Sequence, residues 1–295
     1  METETIIFGM PGNESFSVRL ASLIGAQVGV AEIRSFPDGE SYVRVVSDVK
    51  GKDILLVCTL DRPNEKFLPL YFFAQCLKSQ GACQICLVAP YLAYMRQDKA
   101  FTPGESVSSA NFAALVSSLA DSLITVDPHL HRRSSLGEIY SIPNKVVHSA
   151  GHILDWILRN VEKPLLIGPD DESEQWVSGV SRGARLPFVV LEKVRRGDTD
   201  VEVSVPNVEG YFEHTPILVD DIISSGRTMI ETINRLKQLE MKPAVCIGVH
   251  AVFGGSAYPD LKESGAARIV RGKTINNESN ELDVTALVAS HQTRS

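Results

Sequence analysis

Short apolar runs alternate with amphipathic segments along most of the chain. In the first half, runs rich in β-branched and aliphatic residues are typical of strands buried in a parallel sheet. These runs lie at residues 5–8, 54–58, 85–89 and 122–126. Between them, apolar residues that recur every three or four positions predict helices. The first helix is expected to end near residue 24, and the next two are expected to span residues 67–77 and 107–120.

The same alternation restarts after residues 143–150. The strands predicted beyond this point are 165–168, 187–191, 217–219, 245–253 and 267–270. The helices predicted between them are 152–160 and 229–239. Strands that alternate with helices favour an α/β fold with mainly parallel sheets. We therefore expect two similar domains, residues 1–146 and 147–295, with the last residues free to pack back on the first domain.

Two segments depart from this rhythm. Residues 33–45 alternate between apolar and polar positions on either side of Pro37-Asp38-Gly39, a turn sequence, which predicts a β-hairpin. Residues 201–205 alternate in the same way and are expected to form an edge strand.

Composition restricts the class of protein. A chain of 295 residues with 44% hydrophobic and 22% charged residues is long enough for two folded domains. Its net charge of −7 argues against a general nucleic-acid-binding surface. The first residues lack the basic segment of a signal peptide, and no apolar stretch is long enough to span a bilayer. We expect no membrane contact and a cytoplasmic protein.

The five cysteines support the same compartment. They are odd in number and lie in or beside apolar segments, which is typical of buried free thiols in a reducing environment. Cys83 and Cys86 have the spacing of a redox or zinc motif. Because no second cysteine pair and no nearby histidine complete a metal site, a structural role is favoured.

A polar segment follows the strand predicted at residues 217–219. Its polar and glycine residues are Asp220, Asp221, Ser224, Ser225, Gly226, Arg227 and Thr228. Backbone N–H groups at the start of the next helix, together with the hydroxyl groups, are suited to hold a phosphate. The two carboxylates suit ribose hydroxyls or Mg²⁺. The alternative is that they only close the strand and cap the helix, but adjacent acids beside a buried strand are costly unless something uses them.

Three other loops that follow predicted strands carry candidate chemistry. Residues 90–99 offer two tyrosines with Arg96, Gln97 and Asp98, a set that can sandwich a base and contact phosphates. His129 lies just past a strand and is suited to a metal-bound phosphate or to proton donation. Residues 192–198 are rich in cations and suggest a mobile phosphate-binding loop. Taken singly, each has a simpler explanation. The alternative is a solvated loop for residues 90–99, a structural histidine for His129 and a basic turn for residues 192–198.

Together these segments resemble the ribose-phosphate pyrophosphokinase family over nearly the whole chain and in the same order. The matching motifs are FPDGE at 36–40, PYxxYxRQD at 90–98, DxH at 127–129, KxR at 193–195 and VDDxxxSGxT at 219–228. The combination of FPDGE with RQD is specific to this family. The resemblance implies two phosphoribosyltransferase-type domains, each a mainly parallel sheet flanked by helices.

The resemblance also implies roles for the N-terminal residues. ATP would be bound through Arg96, Gln97 and Asp98. Asp38 and Glu40 would reach the adenine across a subunit boundary, which implies self-association as a dimer or hexamer.

A further set of roles concerns the metal and the transfer step. His129 and Asp170 would hold Mg²⁺ on the triphosphate, with Asp171 left open as an alternative to Asp170. Lys193 and Arg195 would close over the site and stabilise the transferring group. The loop from Asp220 to Thr228 would bind ribose 5-phosphate, whose C1 hydroxyl attacks the β-phosphorus of ATP to give phosphoribosyl pyrophosphate and AMP.

Two alternatives share part of this pattern. A phosphoribosyltransferase has the same ribose-phosphate loop but needs neither the RQD loop nor a second α/β half. A non-catalytic regulatory homologue is expected to have lost the cations at Lys193 and Arg195 or the loop at 220–228, and both are present.

Overall fold

The computed structural model describes residues 3–168, 173–191, 193–195, 201–203, 208–276 and 281–292. The chain forms two compact units. The first comprises Met1–Val147, Thr274–Asn276 and Thr285–Ser295, and the second comprises His148–Lys273 and Asn277–Val284. The expected boundary after residue 146 lies one residue from this division.

The strands and helices are numbered along the chain. The strands are β1 (Thr5–Gly9), β2 (Gln27–Val28), β3 (Ala31–Ser35), β4 (Ser41–Val45), β5 (Asp53–Val57), β6 (Gln84–Ala89), β7 (Ser122–Val126), β8 (Asn144–Val147), β9 (Pro164–Gly168), β10 (Phe188–Val190), β11 (Lys193–Arg195), β12 (Val201–Val203), β13 (Thr215–Ile223), β14 (Val245–Ala251) and β15 (Arg268–Arg271). The α-helices are α1 (Glu14–Ile24), α2 (Pro63–Ser79), α3 (Ser108–Leu119), α4 (Ala150–Asn160), α5 (Glu174–Arg182), α6 (Arg227–Gln238), α7 (Ala257–Glu263) and α8 (Thr285–Gln292).

The first unit is built on a parallel sheet with the strand order β2-β1-β5-β6-β7-β8. Its central strands are apolar because both faces are covered, as in parallel sheets generally. The rings of Phe8 on β1 and Phe73 on α2 meet edge to face with 5.3 Å between their centroids. Each fully buried side chain of this size contributes about 1.5–3 kcal/mol to stability. Helix α8 contacts α1, so the end of the chain belongs to this unit.

The second unit repeats the plan with a parallel sheet in the order β10-β9-β13-β14-β15. All seven residues of β14 are buried. Strand β12 pairs antiparallel with β11 in a separate two-stranded hairpin. Residues 201–203, the described part of the segment 201–205, form a strand at the edge of this small sheet, so the predicted edge strand is confirmed there, with β11 and not the main sheet as its partner.

The predicted hairpin at residues 33–45 is confirmed. Strands β3 and β4 pair antiparallel, and Ser35 opposite Ser41 is the last pair before the turn. Gly39 in the turn has φ +92, a backbone conformation that glycine adopts without strain. Residues 36–40, which form the tip around this turn, are exposed.

Among the helices formed by the described residues, none is long and apolar enough to cross a membrane.

Candidate active site

The predicted acidic pair lies inside β13 and not at its end. Asp220 pairs in register with Gly248 of β14, and Ile222 pairs with His250, so the strand continues to Ile223. The prediction that the two carboxylates close the strand is wrong, because the ladder to the buried strand β14 extends past them. Asp221 is only 8% exposed, whereas Asp220 is half-buried.

A short hydrogen bond fixes the orientation of this pair. The backbone N–H of Asp221 donates to Oδ1 of Asp220 at 2.9 Å. This contact satisfies one acceptor position of the half-buried Asp220 carboxylate. Because Asp220 is half-buried and Asp221 is buried, Asp220 is the more accessible of the two acids for a ligand.

The loop between β13 and α6 has the form of an anion-binding turn. Gly226 lies directly before α6 with φ +70, and no side chain caps the helix in the part of the chain that the structure describes. The first N–H groups of an α-helix have no partner within the helix, and the helix dipole favours negative charge at this end. Arg227 and Thr228 form the first turn of α6, so the helix begins two residues earlier than the apolar periodicity predicted.

A second loop supports the first. The N–H groups of Val252 and Phe253 both donate to the carbonyl of Ile223, at 3.0 and 3.1 Å. The N–H of Gly254 donates to the carbonyl of Ser224 at 3.1 Å. The segment after β14 therefore fixes the start of the loop between β13 and α6. Sequence analysis did not predict this contact, and the glycine pair at 254–255 was its only visible signal.

In the first unit, the two tyrosines of the 90–99 loop are engaged in the fold. Tyr91 packs against the core, and the ring of Tyr94 lies 4.8 Å from that of Phe112 on α3. The Tyr94 hydroxyl donates to Oδ1 of Asn64 at the start of α2, and Tyr94 has φ +60. These contacts hold the loop, whereas Arg96 is exposed.

Gln97 and Asp98 are each held by neighbouring segments. Ser108 Oγ donates to Gln97 Oε1 at 3.0 Å. The Asp98 carboxylate is 4% exposed and pairs with Nη1 of Arg132 at 2.9 Å, while Arg133 donates to the Asp98 carbonyl at 3.1 Å. Asp98 is thus an internal anchor between the RQD loop and the segment after β7.

That segment carries the DxH motif directly after β7. Asp127 is 2% exposed, has φ +35 and donates its N–H to the carbonyl of Val147 at 3.0 Å. A non-glycine residue in this backbone region is strained, and such residues occur often at functional sites. His129 is partly exposed, and its ring centroid lies 6.0 Å from that of His131.

The hairpin tip exposes an aromatic ring and two carboxylates. Asp38 and Glu40 are exposed, and the N–H of Glu40 donates to Asp38 Oδ1 at 3.1 Å. Phe36 is 41% exposed. The Arg34 guanidinium lies 4.9 Å from the centroid of Phe36 and 4.2 Å from that of Tyr42, which fixes the ring in place.

The predicted cationic loop is only partly described. Lys193 and Arg195 lie in β11, opposite Val203 and Val201 of β12, so these positions form a strand and not a loop. Residues 196–200 and Asp170 lie outside the described residues. Within the described ranges, no three or more His, Cys, Asp or Glu side chains form a group that could hold a metal ion. The assignment of His129 and Asp170 to Mg²⁺ therefore remains a prediction.

All five cysteines are free, and the predicted burial is confirmed for Cys58 and Cys246, but it is wrong for Cys83, which is exposed. Burial raises the pKa of Cys58 and of Cys246 to about 12, because the thiolate would lose its hydration inside the sheets. Cys83 is exposed, and Cys86 lies within β6. In the loop after Lys99, hydrogen bonds from the N–H groups of Thr102 and Phe101 lower the pKa of Glu105.

Family models match both units of the chain. Residues 5–119 match the N-terminal domain of ribose phosphate pyrophosphokinase. Residues 135–285 match the phosphoribosyl transferase domain.

Curated relatives match almost the full length. A ribose-phosphate pyrophosphokinase of Saccharolobus solfataricus is 30% identical over 292 residues, covering 97% of this chain and 97% of the relative. A second, from Sulfolobus acidocaldarius, is 31% identical and covers 95% of this chain and 96% of the relative.

A solved structure has the same fold. The crystal structure of phosphoribosylpyrophosphate synthetase from Mycobacterium smegmatis superposes with a TM-score of 0.87 at 22% identity, covering 98% of this chain and 97% of that one. The fold, the domain models and the full-length relatives agree. The chain belongs to the ribose-phosphate pyrophosphokinase family.

Proposed function

We propose that this protein transfers the pyrophosphoryl group of Mg-ATP to the C1 hydroxyl of ribose 5-phosphate, giving 5-phosphoribosyl 1-pyrophosphate and AMP for nucleotide biosynthesis. The observation that carries the proposal is the full-length similarity to named ribose-phosphate pyrophosphokinases. The β13–α6 loop, with its open helix end and acidic pair, supports it independently.

The acceptor occupies the loop from Asp220 to Thr228. The 5-phosphate binds the first N–H groups of α6 with the hydroxyls of Ser224, Ser225 and Thr228, since a helix N-terminus favours an anion. The carboxylates of Asp220 and Asp221 accept hydrogen bonds from the ribose hydroxyls. They do not contact the phosphate, because two negative charges repel each other.

The donor is held by the RQD loop. Arg96 is exposed and charged, and it binds the triphosphate. Gln97, oriented by Ser108, adds a polar contact. Asp98 contributes by fixing the loop through its ion pair with Arg132.

We propose that Mg²⁺ is bound together with the nucleotide. In such sites Mg²⁺ keeps several waters and takes only one or two protein ligands, with substrate phosphates supplying other oxygens. We assign His129 and Asp170 as these ligands, with Asp171 as the alternative to Asp170. When bound, the ion neutralises charge on the triphosphate.

The transfer requires positioning and positive charge more than covalent participation by the protein. The C1 oxygen of ribose 5-phosphate forms a bond to the β-phosphorus of ATP. The bond between the β-phosphorus and the oxygen that joins it to the α-phosphorus breaks, and AMP leaves with that oxygen. The hydroxyl proton is released. We assign Lys193 and Arg195 to the negative charge that develops on the transferring group.

The exposed hairpin tip is suited to a neighbouring subunit. We propose that Asp38 and Glu40 reach the adenine of ATP bound to a second copy, in a dimer or hexamer. The free thiols of all five cysteines agree with a cytoplasmic location.

Position-labelled ATP tests the reaction. With purified protein, Mg²⁺ and ribose 5-phosphate, a label on the β-phosphorus should move into the sugar product, while a label on the α-phosphorus should remain in AMP. Release of ADP, or transfer of the γ-phosphoryl group alone, would contradict pyrophosphoryl transfer. Consumption of added phosphoribosyl pyrophosphate with a nucleobase would instead indicate a phosphoribosyltransferase.

A further inference from the structure

Arg271 is a buried cation at the carboxyl end of β15, in the unit that carries the ribose-phosphate loop. It is 6% exposed, and its Nε is buried without a hydrogen-bond partner among the described residues. In the same part of the chain no carboxylate forms a salt bridge with it, whereas Arg268 on the same strand pairs with Glu281. A buried charge of this kind is costly unless its surroundings compensate for it.

Two aromatic rings provide part of that compensation. The Arg271 guanidinium lies 4.7 Å from the ring centroid of Tyr258 and 5.6 Å from that of Phe253. The two rings meet each other edge to face, with 5.3 Å between centroids. A guanidinium over aromatic faces is attracted by the ring electrons, and more strongly where water is excluded.

Phe253 connects this cluster to the ribose-phosphate loop. It has φ +40, which is strained for a residue with a bulky side chain. Its N–H donates to the carbonyl of Ile223, and the next N–H, that of Gly254, donates to the carbonyl of Ser224. Strain of this kind persists only where the surroundings impose it, and here the surroundings are the Arg271 side chain and the Tyr258 ring.

The sheet register brings Arg271 level with the acidic pair. Asp220 of β13 lies opposite Gly248 of β14, which in turn lies opposite Arg271 of β15. Two strand spacings separate the Asp220 and Arg271 backbones by about 10 Å. Gly248, at the intervening position, has no side chain, and the Ile223 side chain fills that space, 2.5 Å from where a Cβ of residue 248 would lie.

We propose that Arg271 and Phe253 are positioning residues for the 5-phosphate of the acceptor. The guanidinium holds Phe253 in its left-handed backbone conformation, and Phe253 holds Gly254 against Ser224, which keeps the loop ready to receive phosphate. The positive charge of Arg271, which no carboxylate among the described residues neutralises, adds a preference for a phosphorylated sugar. This inference rests on the proposed function, since it names the acceptor that the loop takes.

A matched pair of variants on one strand tests the inference. Arg271→Met should raise the KM for ribose 5-phosphate about tenfold or more and leave the KM for ATP within about twofold. Arg268→Met removes an arginine that lies over Trp156 but is partly exposed, and it should change neither KM. Arg271→Lys retains the charge and should recover part of the affinity. An unchanged KM for ribose 5-phosphate in Arg271→Met, or equal changes in both KM values, would overturn the proposal.

A double-mutant cycle separates positioning from general damage. Phe253→Leu should weaken ribose 5-phosphate binding, and combining it with Arg271→Met should add little further, because both act through one contact. Fully additive effects would contradict the proposal.

Calorimetry of ribose 5-phosphate binding in the absence of ATP separates a failure of this inference from a failure of the proposed reaction. Binding that is lost in Arg271→Met supports the inference even if no pyrophosphoryl transfer is found. Normal turnover with unchanged binding in that variant refutes the inference alone.

Discussion

At the scale of a single residue, Gly226 sets the conformation of the loop between β13 and α6. Its φ of +70 lies in the left-handed region, and an added Cβ would have room, with its nearest contact 3.6 Å away at the Ala257 carbonyl. Any cost of a side chain there is therefore conformational and not steric.

Gly226→Ala should lower the free energy of unfolding by about 1–2 kcal/mol, the cost of a left-handed residue with a Cβ. The KM for ribose 5-phosphate should rise, because relaxation of the backbone moves the first N–H groups of α6. Chemical denaturation and steady-state kinetics measure the two effects. Gly151→Ala is the control, since its Cβ would meet nothing within 4 Å and its φ is not left-handed. Equal effects at both positions would contradict this account.

The buried thiols predict a loss of stability at alkaline pH. Burial raises the pKa of Cys58 and of Cys246 from 9.0 to about 12, so the folded state keeps protons that the unfolded chain releases. Their contribution is fully present below pH 9.0 and is lost as the pH rises towards about 12. Denaturation across this range should show the decline. The decline in stability should be smaller in the Cys58→Ala, Cys246→Ala double variant and unchanged in Cys83→Ala, whose thiol is exposed. An identical decline in the unsubstituted protein and both variants would show that the buried thiols are not its cause.

At the scale of elements, the sequence predicted the central strands because they are continuous apolar runs. It did not predict β2 or β8, which lie at the edges of the first sheet and carry no apolar run of their own. Helix α2 begins at Pro63, earlier than predicted, because its first turn is polar and shows no apolar periodicity. The partner of β12 could not be predicted, because pairing depends on contacts that local alternation does not encode.

The hairpin of β11 and β12 carries the cations assigned to the transfer step. Lys193→Ala should lower kcat by orders of magnitude while ATP still binds, since a charge used only in the transition state affects turnover and not ground-state binding. Rapid-quench kinetics and nucleotide binding measure this. Lys262→Ala, an exposed lysine on α7, should leave kcat unchanged. A mild effect of Lys193→Ala would refute the assignment.

The hairpin of β3 and β4 predicts complementation between subunits. If Asp38 and Glu40 act on ATP bound to another copy, then Lys193→Ala and an Asp38→Ala, Glu40→Ala variant should each be inactive alone. Mixing them under conditions that exchange subunits should restore activity, because some mixed sites receive both intact parts. Failure to restore activity in a verified mixed oligomer would place the hairpin within its own subunit's site.

At the scale of the whole molecule, the two-unit α/β plan and the order of the motifs were predictable from sequence. The conformational detail of the site was not. Motif matching identifies Asp98 as a nucleotide contact, yet the structure makes it an internal ion pair with Arg132. The cluster of Arg271, Phe253 and Tyr258 joins residues from three elements, and only the packed fold brings them together.

The central claim is that this chain alone makes phosphoribosyl pyrophosphate from ATP and ribose 5-phosphate. The most direct measurement is the ratio of AMP to phosphoribosyl pyrophosphate formed by the purified protein with Mg²⁺ and no other protein. We expect the two products to appear in equal amounts and both to depend on ribose 5-phosphate. Absence of AMP until a partner subunit is added would contradict it and identify a regulatory homologue.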